Sequence, residues 1–252
     1  MGARGDGHCS CEAQEAAGKA ARDSPSRQAG AMNVHSEDAT LRLRREWEPR
    51  FRQFVAEQPD ADPGHGPVHL ERVVATALRL ALEEGARVDV VLPAAWLHDC
   101  VHVAKDSPLR TQASRLAADH ALRYLADAGY AGACLPQIRH AIEAHSYSAG
   151  IAPRTIEAKV VQDADRLDAI GAIGIARCIA VGAALGRPLY RSEDPFCRSR
   201  SPDDRGASVD HFYSKLLKLA ATMQTAAGRR EAERRTAFLR SFIDQLETEI
   251  GT

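Results

Sequence analysis

Residues 94–100 read Ala-Ala-Trp-Leu-His-Asp-Cys, and this stretch decides the fold because it places a histidine and an aspartate at the end of an apolar run. The run starts at Val90, so His98 and Asp99 are expected where a buried helix ends. Burying an imidazole and a carboxylate without partners is costly, so the pair must be hydrogen-bonded, ion-paired or bound to a metal. An isolated pair is more typical of a polar helix end, so the other ionisable residues must decide between these interpretations.

The composition is that of an ordinary soluble globular protein. The chain has 252 residues, of which 44% are hydrophobic and 27% charged, and its formal net charge is −1. This balance argues against a protein that coats nucleic acid or an anionic membrane, so no stable nucleic-acid complex is expected. No segment approaches the roughly 20 apolar residues of a membrane span, and the N-terminus lacks the apolar core of a secretory signal.

Six cysteines are scattered along the chain, at positions 9, 11, 100, 134, 178 and 197. Their spacing is neither that of a disulfide framework nor that of a paired zinc motif. Such cysteine usage suits a reducing compartment, so a cytoplasmic protein is predicted.

Helical periodicity begins at Ser36 and continues almost to the C-terminus, and no stretch alternates as a half-buried strand would. Residues 1–35 have few large apolar side chains and are predicted to be a disordered extension of a domain spanning residues 36–252. Asp89 is expected to cap the third helix, and the long polar segment 186–207 is typical of a lid, a binding loop or disorder. The all-α fold class follows from nine predicted helices: 36–57, 67–84, 90–97, 109–128, 138–146, 155–169, 170–185, 208–226 and 228–250.

Three further stretches place ionisable residues among apolar ones. His69 lies at the start of the second predicted helix. Asp165 and Asp168 are three residues apart on the sixth, so they share one helix face. His140 and His145 on the fifth are separated by about 140° around the axis, so they do not face one site equally. We favour His145, because it stands beside the predicted helix end.

These residues carry a resemblance to a known family. In chain order, His69, His98-Asp99 and Asp165 resemble the H…HD…D pattern of the HD-domain metal-dependent phosphohydrolases. The similarity to one bacterial subfamily, the YedJ/YpgQ-like HD phosphohydrolases, is carried by three segments: 144–148, 157–168 and 210–216. It covers about residues 41–250. The resemblance implies an all-α HD-domain bundle of eight or nine helices with one central metal site.

Carried over to this sequence, the family's metal ligands would be His69, His98, Asp99 and Asp165. Such a mixed nitrogen and oxygen set suits one divalent cation, with Mn²⁺ favoured and Mg²⁺, Fe²⁺ or Zn²⁺ as alternatives. Asp168 would orient a ligand or a water. Asp99 or His145 would assist proton transfer or stabilise charge.

Basic side chains are the candidates for substrate binding, because they form strong hydrogen bonds with phosphate oxygens. We single out Arg72, Lys105 and Lys215. His65 is a further candidate, for contact with a phosphate or the leaving group. Relatives commonly have His-Asp where this chain has His65-Gly66, so a carboxylate that could position water or a second metal is missing.

The function implied by the resemblance is hydrolysis of a nucleoside triphosphate to the monophosphate and pyrophosphate by a metal-activated water. Two alternatives stay open. One is a phosphomonoesterase or phosphodiesterase reaction in the same site. The other is a catalytically weak module that senses nucleotides, which the glycine at position 66 favours. The expected partner is a small nucleotide or phosphate ester, and homodimer formation is left open.

Overall fold

The computed structural model describes residues 28–58, 66–104, 107–146 and 148–251, with side chains from residue 38 onwards. Residues 40–252 form one compact unit. All elements discussed below belong to this unit, apart from residues 28–39 at the start of the first helix. Most of the predicted disordered extension lies outside the described residues.

The described residues form helices and loops but no strand, which confirms the predicted all-α class. They include nine α-helices: α1 Gln28–Ala56, α2 Pro67–Glu84, α3 Val88–Leu97, α4 Ala113–Asp127, α5 Leu135–His145, α6 Ile156–Asp168, α7 Gly171–Ala184, α8 Asp210–Ser214 and α9 Ala226–Ile250. Among these, no single helix is long and apolar enough to cross a membrane; α6 and α7 pass that test only as a pair, with a bend of 60° between them.

Helix α3 lies at the centre of the bundle. Every residue from Val90 to Leu97 is buried, so this helix has no face left for solvent. It packs against α2, α5 and α6, and α6 in turn packs against α2 and α5. The two residues that follow α3, His98 and Asp99, are therefore placed among the surrounding helices.

A buried carboxylate joins α6 to α9. Asp163 is fully buried and accepts hydrogen bonds from the backbone N–H groups of Gln224 and Thr225, each at 2.8 Å. The Thr225 hydroxyl donates to the same carboxylate at 2.7 Å and accepts from the Gly228 N–H at 2.9 Å, which caps α9. Burial raises the pKa of Asp163, although these hydrogen bonds act in the opposite direction.

The long segment between α7 and α8 is held by polar contacts of its own. The buried Asp210 carboxylate pairs with Arg200, whose Nη2 lies 2.8 Å from Oδ1, and accepts from the Asp203 N–H at 2.8 Å. The two ends of the segment are joined by a hydrogen bond from the Ser208 N–H to the Pro188 carbonyl at 3.0 Å. The segment thus follows a defined path, which argues against the predicted alternative of disorder.

Several predicted details of the elements are wrong. Helix α1 begins at Gln28 rather than Ser36. Asp89 lies inside the first turn of α3, whose N-cap is the extended Arg87. The single helix predicted at 208–226 is instead the short α8 followed by a 3₁₀ helix, Leu216–Thr222. At the junction, Lys215 leaves helical geometry with φ −133° and ψ −59°, a break that hydrophobic spacing does not reveal.

Gly228 stands where the junction of α6 and α9 has no room for a side chain. A Cβ at this position would lie 2.3 Å from Asp163 Oδ2 and 2.8 Å from Thr225 Oγ1. We expect Gly228→Ala to lower the free energy of unfolding by about 1–3 kcal/mol, because these groups must shift. Chemical denaturation measures the change. The control is Gly132→Ala, where a Cβ meets nothing within 4 Å and an effect within about 0.5 kcal/mol is expected. Equal losses would contradict the steric explanation.

Candidate metal centre

Ionisable side chains from four parts of the bundle converge beside the end of α3. They are His69 of α2, His98 and Asp99 after α3, His145 at the end of α5, and Asp165 of α6. Their potential ligand atoms form two groups, each with its atoms within 4.8 Å of one another. His98 belongs to both groups: one adds His69 and Asp165, the other Asp99 and His145. The structure therefore brings the four sequence-predicted ligands together, with His145 beside them.

The ε nitrogens of the three histidines face the two carboxylates. His69 Nε2 lies 3.5 Å from Asp165 Oδ1, and His98 Nε2 lies 3.8 Å from the same oxygen. His98 Nε2 is also 3.6 Å from Asp99 Oδ2. The other oxygen of this carboxylate, Oδ1, lies 3.4 Å from His145 Nε2. Asp99 thus stands between two imidazoles and faces each with a different oxygen.

Backbone carbonyls determine which ring nitrogen of two histidines carries the proton. The His98 Nδ1 donates to the Ala95 carbonyl at 2.9 Å, and the His145 Nδ1 donates to the Ile142 carbonyl at 2.6 Å. A carbonyl oxygen only accepts, so Nδ1 must be the protonated nitrogen in each neutral ring. The lone pair then lies on Nε2, the atom directed at the carboxylates, as a metal ligand requires.

The surroundings of His98 fit a cation. Its side chain is fully buried, and its Nε2 has no hydrogen-bond partner among the described residues. Burial lowers the pKa of His98, so the ring is neutral and its lone pair is available. A buried acceptor without a donor carries a free-energy cost, and a divalent ion would remove it while balancing the nearby carboxylates. The residues present therefore fit the divalent metal that the donor set predicts.

The pKa of His145 shifts in the opposite direction. Burial alone would lower it, but the hydrogen bond with Asp99 and the charge of that carboxylate outweigh burial and raise the pKa of His145. His98 and His145 are thus both buried, yet the first favours the neutral form and the second holds a proton more readily. Neighbouring groups with separated pKa values are characteristic of acid–base chemistry.

Asp168 anchors the site from behind. Its buried carboxylate lies 2.7 Å from His69 Nδ1, accepts from Arg72 Nε at 2.6 Å and Nη2 at 2.9 Å, and accepts from Arg177 Nη1 at 2.6 Å. Burial would raise its pKa, but the hydrogen bonds from Arg72 and His69 outweigh that effect and hold the pKa of Asp168 well below its usual range. A carboxylate behind a histidine in this way orients the ring toward a metal.

A cavity of about 420 Å³ opens beside these residues. Its lining combines two residues of the converging set with basic and hydroxyl side chains: His145, Asp165, Arg166, Arg177, Ser214, Lys215, Lys218 and Thr222. Lys215, predicted to bind substrate, therefore lies where a ligand of the metal centre would extend. The cavity thus places cationic side chains in the same space as two residues of the converging set, His145 and Asp165.

The other residues that the sequence singled out have different outcomes in the structure. Arg72 is engaged by both oxygens of Asp168, so its predicted contact with substrate stays a prediction. His65 and Lys105 lie outside the described residues. His140, the histidine not favoured by the sequence, accepts a hydrogen bond from the Arg154 N–H at 2.9 Å. Gly66 is the N-cap of α2, and a Cβ there would meet nothing within 4 Å, so space does not require glycine.

Arg177 was not predicted from the sequence. It lies on α7, in a stretch rich in glycine, alanine and isoleucine that reads as a packing helix. Its guanidinium reaches back to Asp168, with Nη1 2.6 Å from Oδ2 and 3.3 Å from the backbone carbonyl. A lone arginine nine residues beyond an aspartate carries no recognisable spacing, because the contact depends on the bend between α6 and α7.

The comparisons with known proteins agree with this geometry. Residues 68–170 match the HD domain family, a range that includes all four predicted metal ligands. The Bacillus subtilis (strain 168) protein YpgQ is 33% identical over 195 residues, which cover 76% of this chain and 87% of YpgQ. The chain therefore belongs to the HD-domain family and is a metal-dependent hydrolase that acts on phosphate esters.

The solved structures that are similar to this chain include YpgQ and other bacterial proteins. The crystal structure of B. subtilis YpgQ in complex with ADP has a TM-score of 0.63 at 34% identity, covering 80% of this chain and 97% of that one. An HD-superfamily hydrolase from Bacillus thuringiensis has a TM-score of 0.64 at 33% identity, covering 83% and 99%. A predicted HD-superfamily hydrolase from an uncultured Thermotogales bacterium has a TM-score of 0.55 at 25% identity, covering 80% and 91%.

The contact between Asp168 and His69 predicts a measurable effect on metal affinity. We expect Asp168→Asn to weaken Mn²⁺ binding by about 10- to 100-fold, because the amide no longer fixes the ring as a carboxylate does. Calorimetric titration with Mn²⁺ measures this. The control is Arg72→Gln, which removes the ion pair between Arg72 and Asp168 but keeps the carboxylate behind His69. This variant should lower the free energy of unfolding, while its Mn²⁺ affinity changes little. Unchanged metal affinity in Asp168→Asn would contradict the orienting role.

Proposed function

We propose that this protein hydrolyses nucleoside triphosphates to the monophosphate and pyrophosphate in the presence of a divalent cation. The observation that carries the proposal is the convergence of His69, His98, Asp99 and Asp165 at a cavity lined by cationic side chains. The ADP complex of YpgQ supports a nucleotide as the ligand, since that relative covers most of this chain.

The metal would be held by His69, His98, Asp99 and Asp165, and we favour Mn²⁺, with Mg²⁺, Fe²⁺ or Zn²⁺ as alternatives. When bound, a divalent cation supplies Lewis acidity at a phosphoryl oxygen and lowers the pKa of water. The protein's own residues contribute imidazole nitrogens and carboxylate charge, and the carbonyl of Ala95 keeps the His98 ring in the orientation described above.

The proposed reaction is balanced by one water. Its oxygen forms a bond to the α phosphorus, the bond from that phosphorus to the bridging oxygen breaks, and the electron pair leaves with pyrophosphate. The proton released from water needs an acceptor near the site. The pair of Asp99 and His145 provides one, because the carboxylate oxygen 3.4 Å from Nε2 stabilises an imidazole that has taken up a proton.

Cationic groups on the cavity wall would hold the phosphates. Lys215 and Lys218 follow α8, and Arg166 and Arg177 come from α6 and α7. Phosphate oxygens form short, charge-assisted hydrogen bonds with such groups, and positioning is the larger part of catalysis in phosphoryl transfer. We retain Arg72, Lys105 and His65 as predicted contacts of the substrate or leaving group.

Two alternatives use the same site. A phosphomonoesterase or phosphodiesterase differs only in the group that leaves. A nucleotide-sensing module with weak turnover is favoured by Gly66, which supplies no carboxylate at the start of α2. The absence of a stable nucleic-acid complex and the cytoplasmic location stay predictions, and homodimer formation stays open. The four cysteines of the described residues are free thiols, which is usual in a reducing compartment.

Isotope labelling tests which bond is broken. We expect the Mn²⁺ protein to convert a nucleoside triphosphate in ¹⁸O water to monophosphate and pyrophosphate, with the label in the monophosphate, because water attacks the α phosphorus. Mass spectrometry of both products measures this. Orthophosphate and nucleoside diphosphate as the first products would mean that water attacks the terminal phosphorus, which favours removal of single phosphate groups as in a phosphomonoesterase. Nucleotide binding without turnover would favour the sensing module.

The role of His145 can be separated from metal binding. We expect His145→Ala to lower kcat by about 10²- to 10⁴-fold, because the proton acceptor is lost, while Mn²⁺ affinity stays close to that of the wild type. The matched control is His140→Ala on the same helix, which should leave kcat unchanged. A parallel loss of Mn²⁺ affinity in His145→Ala would instead make His145 a metal ligand.

A further inference from the structure

A second cavity adjoins the one beside the metal ligands. It has a volume of about 470 Å³, and its polar lining is dominated by cationic and imidazole side chains: Arg110, Arg177, Arg187, Arg205, His211 and Lys215. Asp204 is the only acidic residue among the described residues that line it. This carboxylate already interacts with His211, whose Nδ1 lies 3.3 Å from Oδ2, and with the Ser214 hydroxyl. The cavity therefore has a strong excess of positive charge.

The cationic groups come from separate parts of the chain. Arg110 precedes α4, Arg177 lies on α7, and Arg187 and Arg205 lie near the two ends of the segment between α7 and α8. Because these residues are far apart in the sequence, their spacing does not predict that they share a cavity. Gathering several cations in one cavity is electrostatically unfavourable unless an anion is bound there, so the arrangement indicates a ligand site.

The segment that supplies Arg187 and Arg205 is fixed at both ends. Besides the hydrogen bond from Ser208 to Pro188, the Val209 N–H donates to the Leu189 carbonyl at 2.9 Å. Within the described part of the chain, neither guanidinium makes a hydrogen bond or salt bridge. The backbone that carries both arginines is thus fixed beside the cavity while their guanidinium donors stay available, which lowers the entropic cost of ordering this segment around a ligand.

The two cavities share part of their walls. Ala169, Arg177 and Lys215 line both of them. Arg177 also contacts Asp168, which in turn holds His69 of the metal centre, at 2.6 Å and 2.7 Å respectively. The cationic cavity therefore adjoins the cavity beside the metal centre and shares cationic side chains with it.

We propose that this second cavity binds the pyrophosphate part of the nucleotide, so that the α phosphate lies at the metal centre and the leaving group lies among the arginines. The proposal rests on the function proposed above. A pyrophosphate group carries several negative charges on oxygens that point in many directions. Guanidinium groups match such oxygens in pairs, and cations from several directions surround pyrophosphate better than they surround a single orthophosphate.

Calorimetric titration of the Mn²⁺ protein with inorganic pyrophosphate, and separately with orthophosphate, tests the cavity directly. We expect the double variant Arg187→Ala, Arg205→Ala to bind pyrophosphate at least about tenfold more weakly than the wild type, because two charge-assisted contacts are lost. Its affinity for orthophosphate should change less. The control is Arg42→Ala, Arg240→Ala, which removes the same charge from two exposed arginines that line neither cavity.

Unchanged pyrophosphate affinity in the cavity variant would overturn the proposal, and so would equal weakening in both double variants, which would indicate only a loss of net charge. A parallel assay with nucleoside triphosphate separates this result from the proposed function. If the wild type binds pyrophosphate through these arginines but hydrolyses no triphosphate, the cavity assignment stands and the proposed reaction fails. If triphosphate is hydrolysed while the cavity variant binds pyrophosphate normally, the reaction stands and the cavity assignment fails.

Discussion

The contact between Asp168 and His69 is the constraint on which the metal centre depends. One buried carboxylate joins α2, through His69 and Arg72, to α7, through Arg177. A charged group at this depth is tolerable only because several donors surround it, and the same donors keep it ionised. The histidine that it orients lies at the front of the site, and the arginine that it holds lies on the wall of both cavities. The candidate metal centre and the walls of both cavities thus share one electrostatic anchor.

The three aspartates of helix α6 face three different parts of the structure. Successive residues turn by about 100°, so Asp165 and Asp168 lie about 60° apart while Asp163 points away from both. Asp165 faces the imidazoles of His69 and His98. Asp168 stands behind His69, and Asp163 caps the junction with α9 through Thr225. A shift of this helix would disturb the metal centre and the C-terminal packing together.

The possible metal ligands and most of the cationic side chains come from different parts of the chain. The candidate metal centre combines histidines with carboxylates, and Arg177, which contacts Asp168 behind His69, lines both adjoining cavities. Arg187 and Arg205 line only the second cavity. Under the proposed function, this arrangement would let one part of a polyphosphate reach a metal while guanidinium groups hold the pyrophosphate leaving group.

The amino-acid sequence alone determined the all-α class, most helix boundaries and the residues that converge at the centre. Helical periodicity and the order of the H…HD…D residues can both be read directly along the chain. It misplaced the start of α1 and missed the break at Lys215, where a change of backbone conformation keeps the same apolar spacing. Only the tertiary structure decided that Arg72 pairs with Asp168 and that Arg177 and Arg187 reach one cavity. Those contacts depend on the bend after α6 and the path of a long loop, and neither is encoded in the spacing of any short segment.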